Sequence, residues 1–247
     1  MDIVKHSLAH FMSIIVMLMA CSLTVNAEEG KEFKDLSKAS ELAPPPPPGE
    51  DITPGVRVQH SSKMRSHEIN NVKHVKEEID KHGYREVDDD AMNYLSLDVM
   101  KHKFMPLDQI LKITSSPLSD ITIKTGVFKT MSFEGVIATS PARKTKKMTR
   151  VMRYYTLTNG NVVMLSEYDF NAAQMQVTIP EEFINVSVNG VPAMLIVKKT
   201  KHGKFFTELT WSTTNKLYSL KLEGKAEGLG DKNELVILAS GIHYNPL

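Results

Sequence analysis

Apolar positions along this chain first recur at helical spacing and then at strand spacing. Ile69, Val72, Val75 and Ile79 fall on one stripe, with Glu68, Lys73, Glu77 and Lys81 elsewhere. That pattern predicts a helix over 66–82, capped by Ser66 and closed by Gly83. A second helix is predicted from within Asp88-Asp89-Asp90, whose carboxylates suit a helix start, with Met92, Leu95, Val99 and Met100 buried. Pro106 opens a short turn over 107–113, which ends at Ser115-Ser116-Pro117.

From Ile121 onwards the period is two. Strands are predicted at 121–127, 131–139, 149–158, 161–170, 183–188, 193–199, 205–212 and 217–223. Asn159-Gly160, Asn189-Gly190 and His202-Gly203 supply turns between them, because both residue types of an Asn-Gly pair tolerate positive φ. Asp231 is predicted to cap a last helix with Leu235, Leu238, Ala239 and Ile242 on its apolar face. The fold class is α+β: N-terminal helices, then a curved antiparallel sheet, then a C-terminal helix.

The N-terminal stretch follows neither period. Lys5, His6 and His10 precede an apolar run over 11–20, too short for a permanent span of about 20 residues. With the small residues of Val25-Asn26-Ala27 after it, the run predicts an export signal over 1–27, cleaved after Ala27. Leu18-Met19-Ala20-Cys21-Ser22 also resembles a bacterial lipobox, in which Cys21 is lipidated and anchors the protein to a membrane. Both routes stand at this point. Residues 28–65 read as a disordered proline-rich tether, because the five prolines at 44–48 favour polyproline II. The helical segment then occupies 66–117 and the sheet domain 118–247.

Composition narrows the chemistry. Hydrophobic content of 41% and charged content of 24% suit a globular core. The formal net charge of +1 supplies no global field towards nucleic acid. Cys21 is the only cysteine, so the mature domain has no disulfide and no thiol chemistry. His60, His67, His74 and His82 recur nearly one heptad apart, too far along a helix for neighbours to share one ion. No nucleophile elbow, zinc helix or phosphate-cradling glycine loop is present, and Glu167 with Asp169 reads as a solvent-facing pair on one strand face. The sequence therefore predicts no enzyme, no metal and no cofactor.

Two binding features remain. Arg143, Lys144, Lys146 and Lys147, followed by Arg150 and Arg153, form a dense basic patch suited to an acidic partner or anionic headgroups. Trp211, Phe205 and Tyr218 are either packed core under the last helix or the lining of a concave sheet face that holds an apolar ligand.

The C-terminal third has a family cadence. Asn189-Gly190 is followed by Glu208-Leu209-Thr210-Trp211, Leu217-Tyr218-Ser219-Leu220, and a closing Glu234-Leu235-Val236-Ile237-Leu238-Ala239-Ser240-Gly241-Ile242. Over about 154–242 this resembles a bacterial extracytoplasmic domain of unassigned function, found on anti-sigma-factor-linked and envelope-anchored proteins. That family in turn resembles the half-barrel of the lipoprotein carriers and the sigma-E regulator. Leu238 and Gly241 depart from its pattern. The resemblance implies a half-barrel-like sheet and no catalytic residues. It also implies a periplasmic or cell-surface module that binds an envelope protein or lipid-like ligand in stress signalling; the alternative, drawn from the basic loop and the tether, is a structural or assembly factor that docks on a larger envelope complex.

Overall fold

The structure, a computed structural model, describes residues 54–121, 131–142 and 145–243. The expected signal with Cys21 and Ala27, the prolines at 44–48, Arg143, Lys144 and most of the strand expected at 121–127 lie outside the described residues. In chain order the strands are β1 (Gly55–Gln59), β2 (Arg85–Val87), β3 (Asp120–Ile121), β4 (Ser132–Pro141), β5 (Met148–Thr156) and β6 (Val162–Asp169). They continue with β7 (Gln176–Pro180), β8 (Val186–Val188), β9 (Val191–Thr200), β10 (Phe205–Ser212), β11 (Lys216–Glu223) and β12 (Ile242–His243). The helices are α1 (Ser66–His82), α2 (Leu97–Met100), α3 (Leu107–Ile113), α4 (Phe170–Ala173) and α5 (Glu234–Ser240).

Eight strands form one open, largely antiparallel sheet in the order β2-β9-β10-β11-β6-β5-β4, with β8 also on β9. Two meanders, β4-β5-β6 and β9-β10-β11, meet where β6 pairs antiparallel with β11. The outer edge of β9 is shared end to end: β8 pairs antiparallel with Val191–Ala193 and β2 pairs in parallel with Lys198–Thr200. The expected turns are in place, with positive φ at Gly160, Asn189, Gly190 and Gly203.

The tether does not run to residue 65. Val56 and Val58 alternate along β1, which pairs in parallel with β7, where Val177 and Ile179 alternate in the same way and are buried. Ser66 is the first helical residue of α1 and not its cap; the Arg65 N–H donates to Glu68 Oε2 at 2.9 Å, and Gly83 at φ 72° closes the helix. The second expected helix is instead a 3-10 turn over Asp89–Leu95 followed by the single turn of α2, and Val99 is exposed. Its carboxylates serve a tertiary contact. Asp88 meets Lys201 at 2.6 Å, and Asp89 accepts the His202 N–H at 3.0 Å, so both hold the β9–β10 turn. Asn233, not Asp231, caps α5; Asp231 accepts the Ser187 N–H at 2.9 Å.

Both sheet faces are covered. On one, Leu165, Leu220 and Leu209 face each other across β6, β11 and β10 and pack with Trp211 and Tyr218 against Leu235, Leu238 and Ala239 of α5. On the other, Met152, Tyr154, Met164 and Phe206 pack under Ala91, Leu95 and Met100. Helix α1 sets Val72 and Val75 on Met194 and Ile196 of β9. The chain then rounds the β4 edge, where the Met105 N–H donates to the Val136 carbonyl at 2.9 Å, and α3 seats Ile110 against Val136 and Val151. Burial of each such aliphatic side chain contributes about 1.5–3 kcal/mol.

Candidate functional site

Trp211 and Tyr218 are cross-strand partners whose rings stack at 5.1 Å between centroids. Both are fully buried beneath α5. Phe205 does not join them. It sits at the opposite end of β10, edge-on to Tyr84 at 5.6 Å, with Lys225 Nζ 4.1 Å above its ring. The aromatic trio is thus two places, a core stack and a rim cation–π contact.

Glu167 and Asp169 share a face as expected, but that face is interior, and both are buried. The segment 115–119, which leaves α3, crosses above them. Ser119 donates its N–H and its hydroxyl to Glu167 Oε2, each at 3.0 Å, which leaves the Tyr218 hydroxyl to donate to Ser119 Oγ at 2.9 Å. Arg153 pairs with Glu167 Oε1 and Lys216 Nζ reaches Oε2 at 3.0 Å. Lys216 also donates to the Pro117 carbonyl. Ser115 donates to Asp169 Oδ2 at 2.9 Å, while Asp169 Oδ1 caps α4 through the Ala172 N–H. A pinched cleft bordered by Thr114, Ser115, Met148, Asp169 and Lys216 has room for about one water molecule. Sequence reading missed Ser119 and Lys216, which acquire partners only when 115–119 folds across the sheet.

The basic patch divides. Arg153 points to the interior and Arg150 to the opposite face, where its Nε donates to Ser166 Oγ at 2.9 Å. Lys146 and Lys147 stay exposed in the β4–β5 connection, Lys146 at φ 56°. Lys147 Nζ donates to the Lys112 carbonyl at 2.5 Å, which sets this connection against the end of α3. On α3 itself, Leu107 and Leu111 are one turn apart and remain 43% and 54% exposed. Apolar ridge and cations thus form one surface.

The histidines do not converge. His60 lies 3.5 Å from Glu182, His67 lies 3.9 Å from Glu68, and His82 stacks on Tyr84. Among the described residues no cluster of histidine, cysteine or carboxylate side chains is arranged to hold a metal ion. No protein-family model, curated protein or solved structure significantly matches the chain.

Proposed function

We propose that this chain is an exported, non-catalytic binding module that docks an acidic protein partner through the surface of α3 and the β4–β5 connection. The reading rests on one contact: Lys147 on the Lys112 carbonyl holds exposed lysines beside the Leu107–Leu111 ridge. An apolar anchor rimmed by cations fits a partner that presents carboxylates around an apolar side chain. Export is supported by the apolar run and small residues of the N-terminal segment, and lipidation of Cys21 would place the docking face at a membrane surface.

The resemblance to the envelope stress-signalling domains agrees with this role, and in that reading the open sheet is their half-barrel. A lipid cradle has less support, since α5 already covers Trp211 and Tyr218. Catalysis by Glu167 has less support too, because Arg153, Lys216 and Ser119 already occupy its oxygens.

The test is recovery of the partner from the host envelope by cross-linking, with Leu111→Glu and with Lys146→Glu/Lys147→Glu. Both variants should fold, since the altered side chains are exposed, and both should lose the same acidic protein, with affinity down about tenfold or more. Undiminished recovery by both rejects this face. Loss of a whole multi-protein complex instead of one protein assigns the assembly-factor role.

A further inference from the structure

The sheet face opposite α5 should be apolar throughout, because helices and turns cover it. Its centre is not. Ser166, Ser219 and Thr210 stand opposite one another on β6, β11 and β10, and Lys221 stands opposite Glu208 in the next row. Arg150 reaches this strip from β5. Apolar clusters border it: Met152, Met164 and Phe206 along one side, Met194 and Ile196 beneath α1, and Leu217 with Phe170 and Val177 at the end. Charged groups cost several kcal/mol to desolvate, so fold stability alone does not call for them on the central strands of a sheet.

The strip also carries unmatched positive charge. Glu208 pairs with Lys198, accepts from Ser219 Oγ at 2.7 Å, and lies 3.6 Å from Lys221 Nζ. One carboxylate therefore faces two lysines. Arg150 spends its Nε on the Ser166 hydroxyl and has no ion-pair partner among the described residues. Glu223, further along β11, is engaged by the Val162 N–H at 3.3 Å. Burial pushes the Lys221 ammonium below its ordinary value, Glu208 opposes that, and Lys198 and Arg150 add repulsion. Arg150, Ser219 and Lys221 each retain some solvent exposure, 13% for the Lys221 side chain, while Ser166 lies buried behind them.

We infer that Arg150, Ser166 and Lys221 form a binding site for a phosphate-type oxyanion. A guanidinium with donors to spare, an ammonium and the Ser166 hydroxyl, whose proton is not spent on Arg150, are the set that recognises such a group, and the bound charge offsets the surplus of cations. This site lies across the sheet from the docking surface and does not depend on it.

The test titrates full-length protein with inorganic phosphate against sodium chloride at matched ionic strength, read by calorimetry and thermal melting. We expect a saturable response to phosphate that chloride does not produce. Arg150→Gln and Lys221→Gln should each weaken it by about tenfold or more, one charge-assisted contact apiece, while Lys146→Gln leaves it intact. Far-UV circular dichroism checks that the variants fold. Coincident phosphate and chloride curves for the unaltered protein overturn the inference without any variant, as does a phosphate response that both folded variants retain. Co-sedimentation with phosphatidate vesicles, lost in Arg150→Gln, assigns the oxyanion to a lipid headgroup. A phosphate response without vesicle binding assigns it to a soluble phosphate ester.

Discussion

Gly135 occupies a position where an added side chain would run into Phe104. It follows the register shift in β4 after Phe133, and a Cβ built there would stand 2.2 Å from Cδ2 of Phe104. That ring must lie flat on the strand to reach Tyr154, 5.3 Å away. Gly135→Ala should therefore lower stability by about 1–3 kcal/mol through overpacking, read as a fall in the urea midpoint. An unshifted midpoint would mean that Phe104 yields freely. Asn185 is a second such residue. Its side-chain amide accepts the Leu195 N–H at 2.9 Å and donates to the Leu195 carbonyl at 2.8 Å, filling the gap between β8 and β2 on the edge of β9. Neither role is legible in sequence, where Gly135 and Asn185 both read as ordinary positions inside the strands predicted at 131–139 and 183–188. The Asn-Gly turns are legible because their demand for positive φ is local.

Elements follow the same division between local and distant causes. The long strands of the two meanders fall within a few residues of where the sequence puts them, because turn residues close by in sequence bound each one. The short strands β1, β2 and β7 escape notice, since they exist only through partners remote in sequence. The knot beneath 115–119 escapes for the same reason, and Glu167 reads as solvent-facing until that segment is laid over it. Glu167→Ala should cost about 3–5 kcal/mol, because Arg153 and Lys216 would remain buried without their shared counter-charge. Glu167→Gln, which keeps an acceptor for Ser119, should cost less. Equilibrium urea unfolding measures both, and an alanine variant as stable as the parent would show that the knot does not hold 115–119 to the sheet. Charges on the far face are as hard to foresee: Lys198, Glu208 and Lys221 are spread over three strands, and only the register sets them side by side.

For the whole molecule, the far-face charges fix how stability responds to acid. Burial alone would raise the Glu208 carboxyl, but Lys198 and Lys221, with hydrogen bonds from Lys198 and Ser219, outweigh it and hold the group well below the usual carboxylate range. A group depressed in the folded state contributes stability that is complete above its unfolded value, near 4.5, and is lost as pH falls towards the folded one. Melting temperature should therefore hold steady on acidification until the ordinary carboxylate range and then decline. Glu208→Gln should show a shallower decline below that point, and parallel acid limbs in the two proteins would assign the effect to other carboxylates.

Pairing across the chain also sets a schedule. Gly55 waits for Gln176, Arg85 for Lys198, and Ile121 for Ile242. Each pairing closes a long loop, and its entropic cost falls due before the contacts that offset it can form. Synthesis from the N-terminus delivers those partners late, well after the strands that wait for them. Until then β1, β2 and β3 lack their strand partners, and the hairpins of the two meanders are the parts that local contacts can form first.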